Sequence, residues 1–330
     1  MARADFNDRQ CGAALLTVLL MVAVMAALAV AVIDDIRFAI RRAGNANLYA
    51  QAQWYVMGAE AFARQIVAQT PADALTAALA DSTAKATSAS FDIEGGRIDA
   101  RVEDGANCFN LNSVVEDTGD GNYRISTVGA RQFGNLLKAL AFNEGDRDAL
   151  TAALVDWIDS DTRPEPRGAE DYDYSALPIP YRTGNTLLAD VSELRAIKGF
   201  EAGVVRQLAP HVCVKPDTGL TVLNLNSLRE DQAVLLSALV GEALKPEAAR
   251  RLLAQRPGDG FATTQAFWSL KAFDGLDIDE AVKGQVALQT SYYRLTAEVS
   301  FYDAYMEIRS LFERNGKAFK LISRTIGSAV

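Results

Sequence analysis

The feature that most constrains this chain is an apolar run near its N-terminus. The run extends from Ala13 to Ile33, and its only polar side chain is that of Thr17. A helix rises about 1.5 Å per residue, so about 20 apolar residues cross the ~30 Å hydrocarbon layer of a membrane. Because lipid offers the backbone no hydrogen bonds, such a segment has to be helical. The sequence therefore predicts one membrane-spanning helix, followed by a folded domain.

The polar segment before the run is compatible with three kinds of N-terminus. Residues 1–12 include Arg3 and Arg9 and end in Gly12. The first kind is a cleaved secretory signal peptide, although the apolar core of such a peptide has only about 7–15 residues. The second is a plain single-span anchor, and the third is a pilin-like leader that is removed while the helix is kept. The basic residues do not decide the orientation, because three more arginines follow the run within residues 37–42.

The chain after the run favours retention of the helix. Apolar residues recur there at alternating spacings of four and three, which is the pattern of one helical stripe. The stripe consists of Leu48, Ala52, Tyr55, Ala59, Phe62 and Ile66. Residues 13–69 are therefore predicted to form one helix on the order of 85 Å long. Its first half is apolar all round and its second half is amphipathic, a continuity that a cleaved signal peptide would not need.

These N-terminal features together resemble one protein family. The junction between Gly12 and Ala13, the long helix and the segment QWYVMGAEA over residues 53–61 are similar to the minor pseudopilin K of the type II secretion system. Pilin-like proteins usually have a glutamate five residues after the cleavage site, and K pseudopilins lack it. This chain has Thr17 there. Since an unpaired carboxylate is costly in a bilayer, its absence suits a subunit at the end of a filament.

The resemblance implies a location, a processing step and a set of partners. Prepilin peptidase would cleave between Gly12 and Ala13, leaving Ala13 as a new N-terminus open to methylation. The helix would lie in the inner membrane, with the C-terminal domain in the periplasm. The chain would join the minor pseudopilins I and J at the tip of the periplasmic pseudopilus, above H and the major pseudopilin, and would support protein export as a structural subunit.

The pattern of the remaining chain predicts an α+β fold. Strand-like alternation in residues 91–103, with Gly95 and Gly96 as a hairpin turn, and again in residues 292–324, flanks a mainly helical stretch. We expect a pilin-like helix packed on a small antiparallel sheet, with a large helical insertion. The predicted parts are a leader (1–12), the long helix (13–69), the first part of the pilin-like domain (70–126), the insertion (127–289) and the final strands (290–330).

Two short patterns lie within or beside this insertion. Residues 108–113 are predicted to extend the strand region, and the Leu-Asn-Leu-Asn sequence at 223–226 echoes the Phe-Asn-Leu-Asn sequence at 109–112. Residues 191–200 resemble a helix-hairpin-helix element, which suggests a rival function as a membrane-tethered DNA-binding protein. Such hairpins need nearby basic residues, and Lys198 is present. The formal net charge of −9 argues against nucleic acid as a partner.

One acidic stretch has the composition of a cation site. Residues 156–174 contain seven acids and two arginines. Ca²⁺ binds six to eight oxygens, many of them from carboxylates, whereas Mg²⁺ prefers fewer carboxylates and retained waters. The spacing is not that of an EF-hand, and composition alone is somewhat better explained by a solvated acidic loop than by a cation site.

The family resemblance favours Ca²⁺ over a solvated loop. The calcium-binding region of K pseudopilins matches a set of residues in this stretch, namely Trp157, Ile158, Asp159, Asp161, Gly168, Ala169, Glu170, Asp171 and Tyr174. Five acids are the predicted Ca²⁺ ligands: Asp159, Asp161, Glu170, Asp171 and Asp173. Glu165 is a weaker candidate.

The cysteines and the single histidine limit other chemistry. Cys108 and Cys213 would remain after loss of the leader, and they form either a disulfide or two buried thiols. His211 is the only histidine, which excludes zinc sites that use several histidines. Nothing beyond the acidic stretch suggests a substrate groove, so we do not expect an enzyme.

Overall fold

The computed structural model describes residues 5–80, 87–316 and 318–327, and it describes side chains from Ala14 onward. The first residues of the predicted leader therefore lie outside the described part of the chain, and the side chains of Gly12 and Ala13 are not described. The helices in the described residues are α1 (Asp5–Gln69), α2 (Ala72–Ala80), α3 (Thr127–Ala139), α4 (Glu144–Ile158), α5 (Asp171–Ser175), α6 (Ala202–Leu208), α7 (Ala233–Val240), α8 (Pro246–Leu253), α9 (Thr264–Trp268) and α10 (Glu280–Lys283).

The strands are short except in one antiparallel sheet. They are β1 (Ser88–Ile93), β2 (Gly96–Asp104), β3 (Phe109–Asn110), β4 (Val115–Gly119), β5 (Asn122–Ile125), β6 (Val212–Cys213), β7 (Leu223–Asn224), β8 (Val286–Ala287), β9 (Tyr292–Phe301), β10 (Ala304–Asn315) and β11 (Ala318–Gly327). The sheet has the order β1-β2-β9-β10-β11, with every neighbouring pair antiparallel. The hairpin predicted at Gly95 and Gly96 is confirmed, since it joins β1 to β2. Residues on either side of the insertion thus pair directly, β2 with β9.

The single long helix predicted from the sequence is confirmed, and it ends at Gln69 as expected. The part from Ala14 onward includes a segment long and apolar enough to cross a membrane, none of which is buried against the rest of the chain. Past this segment, α1 packs on the sheet through small side chains. Ala52 and Val56 are fully buried against β2, β9 and β10, so the helix lies close to the sheet.

The predicted apolar stripe is wrong at its C-terminal end. Phe62 and Ile66 remain 50% and 47% exposed, whereas Ala63 and Val67, each one residue later, are buried. The buried face is rotated because alanine and valine allow a closer approach to the sheet than phenylalanine does. The same face carries Glu60, which is buried and receives hydrogen bonds from Arg324 on β11 and Ser310 on β10.

The helical body begins earlier than the predicted boundary at residue 127. One continuous core contains residues from Phe109 to Val286, so residues 107–126 belong to this body and not to the pilin-like sheet. The predicted strand at 108–113 is also largely wrong, because only Phe109 and Asn110 are extended and a 3-10 turn follows over Leu111–Val114. Phe109 and Asn110 pair with Val212 and Cys213 in parallel, a partner about a hundred residues away.

The echo between residues 109–112 and 223–226 marks two copies of one structural unit. In each copy a two-residue strand pairs in parallel with a strand near the end of the copy, β3 with β6 and β7 with β8. Asn112 clasps Leu188, because its side-chain amide accepts from the Leu188 N–H (2.9 Å) and donates to the Leu188 C=O (3.0 Å). Asn226 clasps Phe261 in the same way, at 2.8 and 3.2 Å. The helical body is therefore an internal duplication.

The two cysteines are joined at the end of the first copy. The Sγ atoms of Cys108 and Cys213 are 2.06 Å apart, and the residues are separated by 105 positions in sequence. The disulfide lies beside the pairing of β3 with β6 and ties the start of the first copy to its end. The predicted helix-hairpin-helix element is nearby, and its first helix is a 3-10 helix over Val191–Ala196.

Candidate metal centre

The acidic stretch folds around one carboxylate that the sequence analysis did not select. Asp156 lies in the last turn of α4 and is fully buried. Its Oδ1 accepts from the backbone N–H of Glu165 (2.9 Å), and its Oδ2 accepts from the N–H of Ala169 (2.6 Å). A Cβ on Gly168 would lie 1.8 Å from Asp156 Oδ2, so only glycine fits there. Asp156 thus shapes the loop that carries the other acids.

Three of the five predicted ligands come together at the mouth of this loop. Asp159, Asp161 and Glu170 each place one carboxylate oxygen within 4.8 Å of the other two. Asp159 and Glu170 are each 4% exposed, while Asp161 faces solvent. Among the described residues, Asp159 Oδ1 and Glu170 Oε1 are buried without a hydrogen-bond partner. Buried carboxylate oxygens without partners are costly, and a bound cation would satisfy both.

The raised pKa values of the clustered acids also favour a bound cation. Burial, together with the nearby carboxylates of Asp161, Asp156 and Glu170, raises the pKa of Asp159 to about 7. Burial also raises the pKa of Asp156 to about 6 and that of Glu170 above its usual range. Acids that resist ionisation at neutral pH are destabilising when charged, and a cation within reach would reverse that effect.

The other two predicted ligands are engaged elsewhere, so this part of the prediction is corrected. Asp171 Oδ1 accepts from the N–H and the hydroxyl of Thr183, which lowers its pKa. Asp173 pairs with Lys198 at 2.7 Å, which lowers the pKa of Asp173, and it also caps the start of α5. Both side chains stabilise the segment that follows the acidic loop, Asp171 through Thr183 and Asp173 through Lys198. The sequence could not distinguish Asp171 and Asp173 from the three clustered acids, because all five are carboxylates in the same acidic stretch.

A further oxygen near the site was missed altogether. Asn185 donates its backbone N–H to the carbonyl of Trp157 at 3.0 Å, which places it beside the end of α4. Its side-chain Oδ1 is buried without a partner among the described residues, and its φ of 46° is left-handed. An amide oxygen is a ligand type that Ca²⁺ accepts. No local pattern in the sequence marks Asn185, since it follows Glu170 by fifteen residues.

The donor set suits a hard cation. Every converging ligand atom is an oxygen, and the three clustered side chains are carboxylates, as Ca²⁺ requires. Beneath them, Tyr174 is buried and packs against Trp157 with ring centroids 5.2 Å apart. This aromatic contact joins the two ends of the acidic loop.

Comparison with known proteins agrees with this architecture. Two family models described as type II secretion system protein K match the chain, one over residues 107–217 and the other over residues 223–289. The protein of that name from Klebsiella pneumoniae is 35% identical over 322 residues, covering 97% of this chain and 98% of that protein. The one from Pectobacterium carotovorum subsp. carotovorum is 31% identical over 322 residues, with the same coverage. The two matched ranges coincide with the two copies of the duplicated unit.

A solved structure is also similar to this chain. It is a chain of the GspK-GspI-GspJ complex from the type 2 secretion system of enterotoxigenic Escherichia coli, with a TM-score of 0.70 and 27% sequence identity. The match covers 87% of this chain and all of that one.

A long apolar helix laid on an antiparallel sheet, with a helical body inserted between two strands of that sheet, defines a pilin-like subunit. The chain belongs to the type II secretion system protein K family and is a minor pseudopilin of that system. The family is a structural component of a secretion system, and these relationships give no support to the alternative of a DNA-binding protein. The resemblance noted in the N-terminal helix thus extends over nearly the whole chain.

Proposed function

We propose that this chain forms the tip complex of the periplasmic pseudopilus together with the minor pseudopilins I and J. The observation that carries the proposal is its similarity to the whole length of a chain solved within a GspK-GspI-GspJ complex. The helical body adds weight, because its single core spans Phe109 to Val286 and makes the subunit much bulkier than its five-stranded sheet. H and the major pseudopilin would follow below the tip.

The N-terminal helix supports a terminal position in the filament. Thr17 occupies the position where an acid would pair with a neighbour's amine, and its hydroxyl donates instead to the carbonyl of Ala14 at 2.8 Å. This hydrogen bond satisfies the side chain within its own helix. A subunit with Thr17 cannot supply that acid to a neighbour, but it can still supply its own N-terminal amine, and this asymmetry suits a subunit at the end of a filament.

The complex is tested by affinity purification of the tagged full-length chain from membranes of its native host. We expect I and J to be recovered with it and secretion to fail when the chain is deleted. The matched control is a strain that lacks J, from which less of the complex should be recovered. Recovery of the chain alone from the wild-type strain would contradict the proposal.

Processing and location form a separate part of the proposal. Prepilin peptidase would cut after Gly12, and the helix would then hold the subunit in the inner membrane with residues beyond the span in the periplasm. The support is the exposed, apolar and continuous first half of α1. N-terminal sequencing of the membrane-extracted protein should begin at Ala13. A start near residue 32 would mean that the helix is a signal peptide.

The acidic centre is proposed to hold Ca²⁺ as a structural ion. Asp159, Asp161 and Glu170 would bind it, Asp156 would keep the loop in shape, and Asn185 would supply an amide oxygen. The two buried carboxylate oxygens without partners support this assignment. Calorimetry on the full chain in detergent should detect Ca²⁺ binding, and Ca²⁺ should raise its melting temperature. An unchanged melting temperature would contradict the site.

A further inference from the structure

Three arginines on α1 follow the membrane-spanning run directly. Arg37, Arg41 and Arg42 lie four to nine residues beyond Ile33, the last residue of the run. At about 1.5 Å per residue, this places them about 6–14 Å along the helix axis from the end of the run. The headgroup layer on one side of a bilayer is roughly 5–8 Å thick. Because side chains on a helix tilt toward its N-terminus, which is here the membrane side, the long arginine side chains extend back toward the lipid phosphates.

The folded domain does not engage these arginines. Among the described side chains, α1 first meets the sheet at Leu48, and every side chain between the run and Leu48 is exposed. Arg37 forms a single ion pair, with Asp34 on the preceding turn at 3.7 Å. Within the described part of the chain, Arg41 and Arg42 form no ion pair with a carboxylate. Two of the three positive charges are therefore left for a partner outside the chain.

The arginines project from the side of α1 on which the sheet lies. Arg37 precedes Leu48 by eleven residues, and Arg41 precedes Ala52 by the same number, which is close to three helical turns. Leu48 and Ala52 both pack on the sheet. The two guanidinium groups therefore face the space between the sheet and the membrane, since no described strand covers α1 before Leu48. A partner that reaches them there comes from the membrane surface.

The position of these arginines opposes the orientation in the proposed function. Basic residues just past a span favour a cytoplasmic location for that end of the chain, whereas the proposal places this end in the periplasm. A cluster that works against its own orientation calls for a role. Phe38 lies among the arginines and is 65% exposed, and aromatic side chains are enriched at the headgroup level. Basic side chains beside an aromatic ring, at the depth of the phosphates, match the chemistry of an anionic lipid headgroup.

We propose that Arg41 and Arg42, assisted by Arg37, bind the phosphate groups of anionic phospholipids on the side of the membrane where the folded domain lies. A guanidinium group donates two parallel hydrogen bonds to a phosphate, which suits this contact. Asp34 offsets part of the charge of Arg37, so the other two arginines supply most of the affinity. The contact would hold α1 at a fixed depth in the membrane. The inference rests on the proposed function, because it requires the helix to be retained.

Native mass spectrometry of the full chain in a neutral detergent tests the contact, with phosphatidylglycerol as the anionic lipid and phosphatidylcholine as the lipid without net charge. The double variant Arg41→Gln/Arg42→Gln should bind phosphatidylglycerol about twenty-fivefold more weakly than the wild type, at about fivefold for each arginine, and phosphatidylcholine equally well. The matched control Arg64→Gln removes an exposed arginine from α1 far from the run and should leave both affinities unchanged. Asp34→Asn, which frees Arg37, should strengthen the binding of phosphatidylglycerol.

Three outcomes would overturn the proposal. The first is equal binding of phosphatidylglycerol by the wild type and the double variant. The second is displacement of the bound lipid by an equal concentration of glycerol phosphate, which would indicate a site for free phosphate. The third comes from a photo-cross-linking amino acid at Phe38 in native membranes: products with protein and none with lipid would mean that the arginines meet another subunit.

The N-terminal sequence of the membrane-extracted wild type keeps this inference apart from the proposed function. A start near residue 32 would mean that the proposed location itself fails. If the protein begins at Ala13 and any of the three outcomes is observed, the lipid contact fails while the proposed location stands.

Discussion

Replacing Asp159 with asparagine should weaken the dependence of stability on Ca²⁺ and stabilise the chain when Ca²⁺ is absent. Asp159 is buried, and its pKa is about 7 in the folded chain against an ordinary value of 3.8. A raised pKa means that folding stability is lost as pH rises, with no penalty below about pH 4 and the full penalty above about pH 7. A difference of about three pKa units corresponds to roughly 4 kcal/mol. Without Ca²⁺ at pH 8, Asp159→Asn should therefore be more stable than the wild type by up to about this amount.

The assay is urea denaturation of the full chain in detergent, at pH 8 and pH 5, with Ca²⁺ or with a chelator. Added Ca²⁺ should stabilise the wild type strongly and the variant weakly, because the amide contributes no charge to the ion. At pH 5 the difference between the two chelated proteins should be much smaller, because pH 5 is only about one unit above the ordinary pKa of 3.8, whereas pH 8 lies above both pKa values.

The matched control is Asp171→Asn in the same loop. Asp171 accepts two hydrogen bonds from Thr183 and has a lowered pKa, so its loss should destabilise the chain with or without Ca²⁺. If chelated Asp159→Asn proves less stable than the wild type at pH 8, the inference of an uncompensated buried charge at Asp159 is refuted. If Asp171→Asn abolishes Ca²⁺ binding while Asp159→Asn does not, the assignment of ligands is refuted.

Three further predictions concern the loop, the helix and the disulfide. Gly168→Ala should destabilise the chain by more than about 2 kcal/mol and weaken Ca²⁺ binding, because its Cβ would collide with a buried carboxylate; calorimetry that finds wild-type binding would contradict this. Glu60→Gln should lower the free energy of unfolding by about 3 kcal/mol, since it breaks a buried pair with Arg324, and denaturation of the variant measures it. Replacing Cys108 and Cys213 with serine should cost about 2–5 kcal/mol, as expected for a long closed loop, and a wild-type denaturation midpoint would oppose this.

Local patterns predicted the elements that depend on local contacts. The long helix and the hairpin of β1 and β2 follow from periodicity and from turn residues such as Gly95, which has the positive φ of 84° that its turn requires. The rotation of α1 on the sheet did not follow, because it depends on which side chains let the two surfaces approach. Phe62 reads as a core residue in the sequence, but the close packing of Ala63 leaves it outside.

Contacts between distant residues were beyond the sequence analysis. The start of the helical body was misplaced because β3 finds its partner β6 about a hundred residues later. The acidic site shows the same limit. Composition located the loop, but only the fold shows that Asp156 faces inward and receives two backbone N–H groups, while Asp173 faces Lys198. Whether an acidic residue can be a ligand therefore depends on the direction in which the fold points its side chain, and residue type alone does not give that direction.

The internal duplication gives a reason why the proposed cation would serve the first copy and not the second. In both copies the chain leaves a helix, α4 or α8, and returns to an asparagine clasp, at Leu188 or at Phe261. The second copy makes this return over residues 254–260, and Arg256 secures it by donating to two backbone carbonyls at 2.8 Å each.

The first copy makes the same return over residues 159–187, a much longer loop whose ordering costs more conformational entropy. It carries buried carboxylates where the second copy has a guanidinium. A positive charge thus secures the return in both copies, supplied by the chain itself in the second and, in our proposal, by Ca²⁺ in the first. It follows that chelation should loosen the loop of the first copy and leave the second copy protected, which amide hydrogen exchange on the full chain can resolve peptide by peptide.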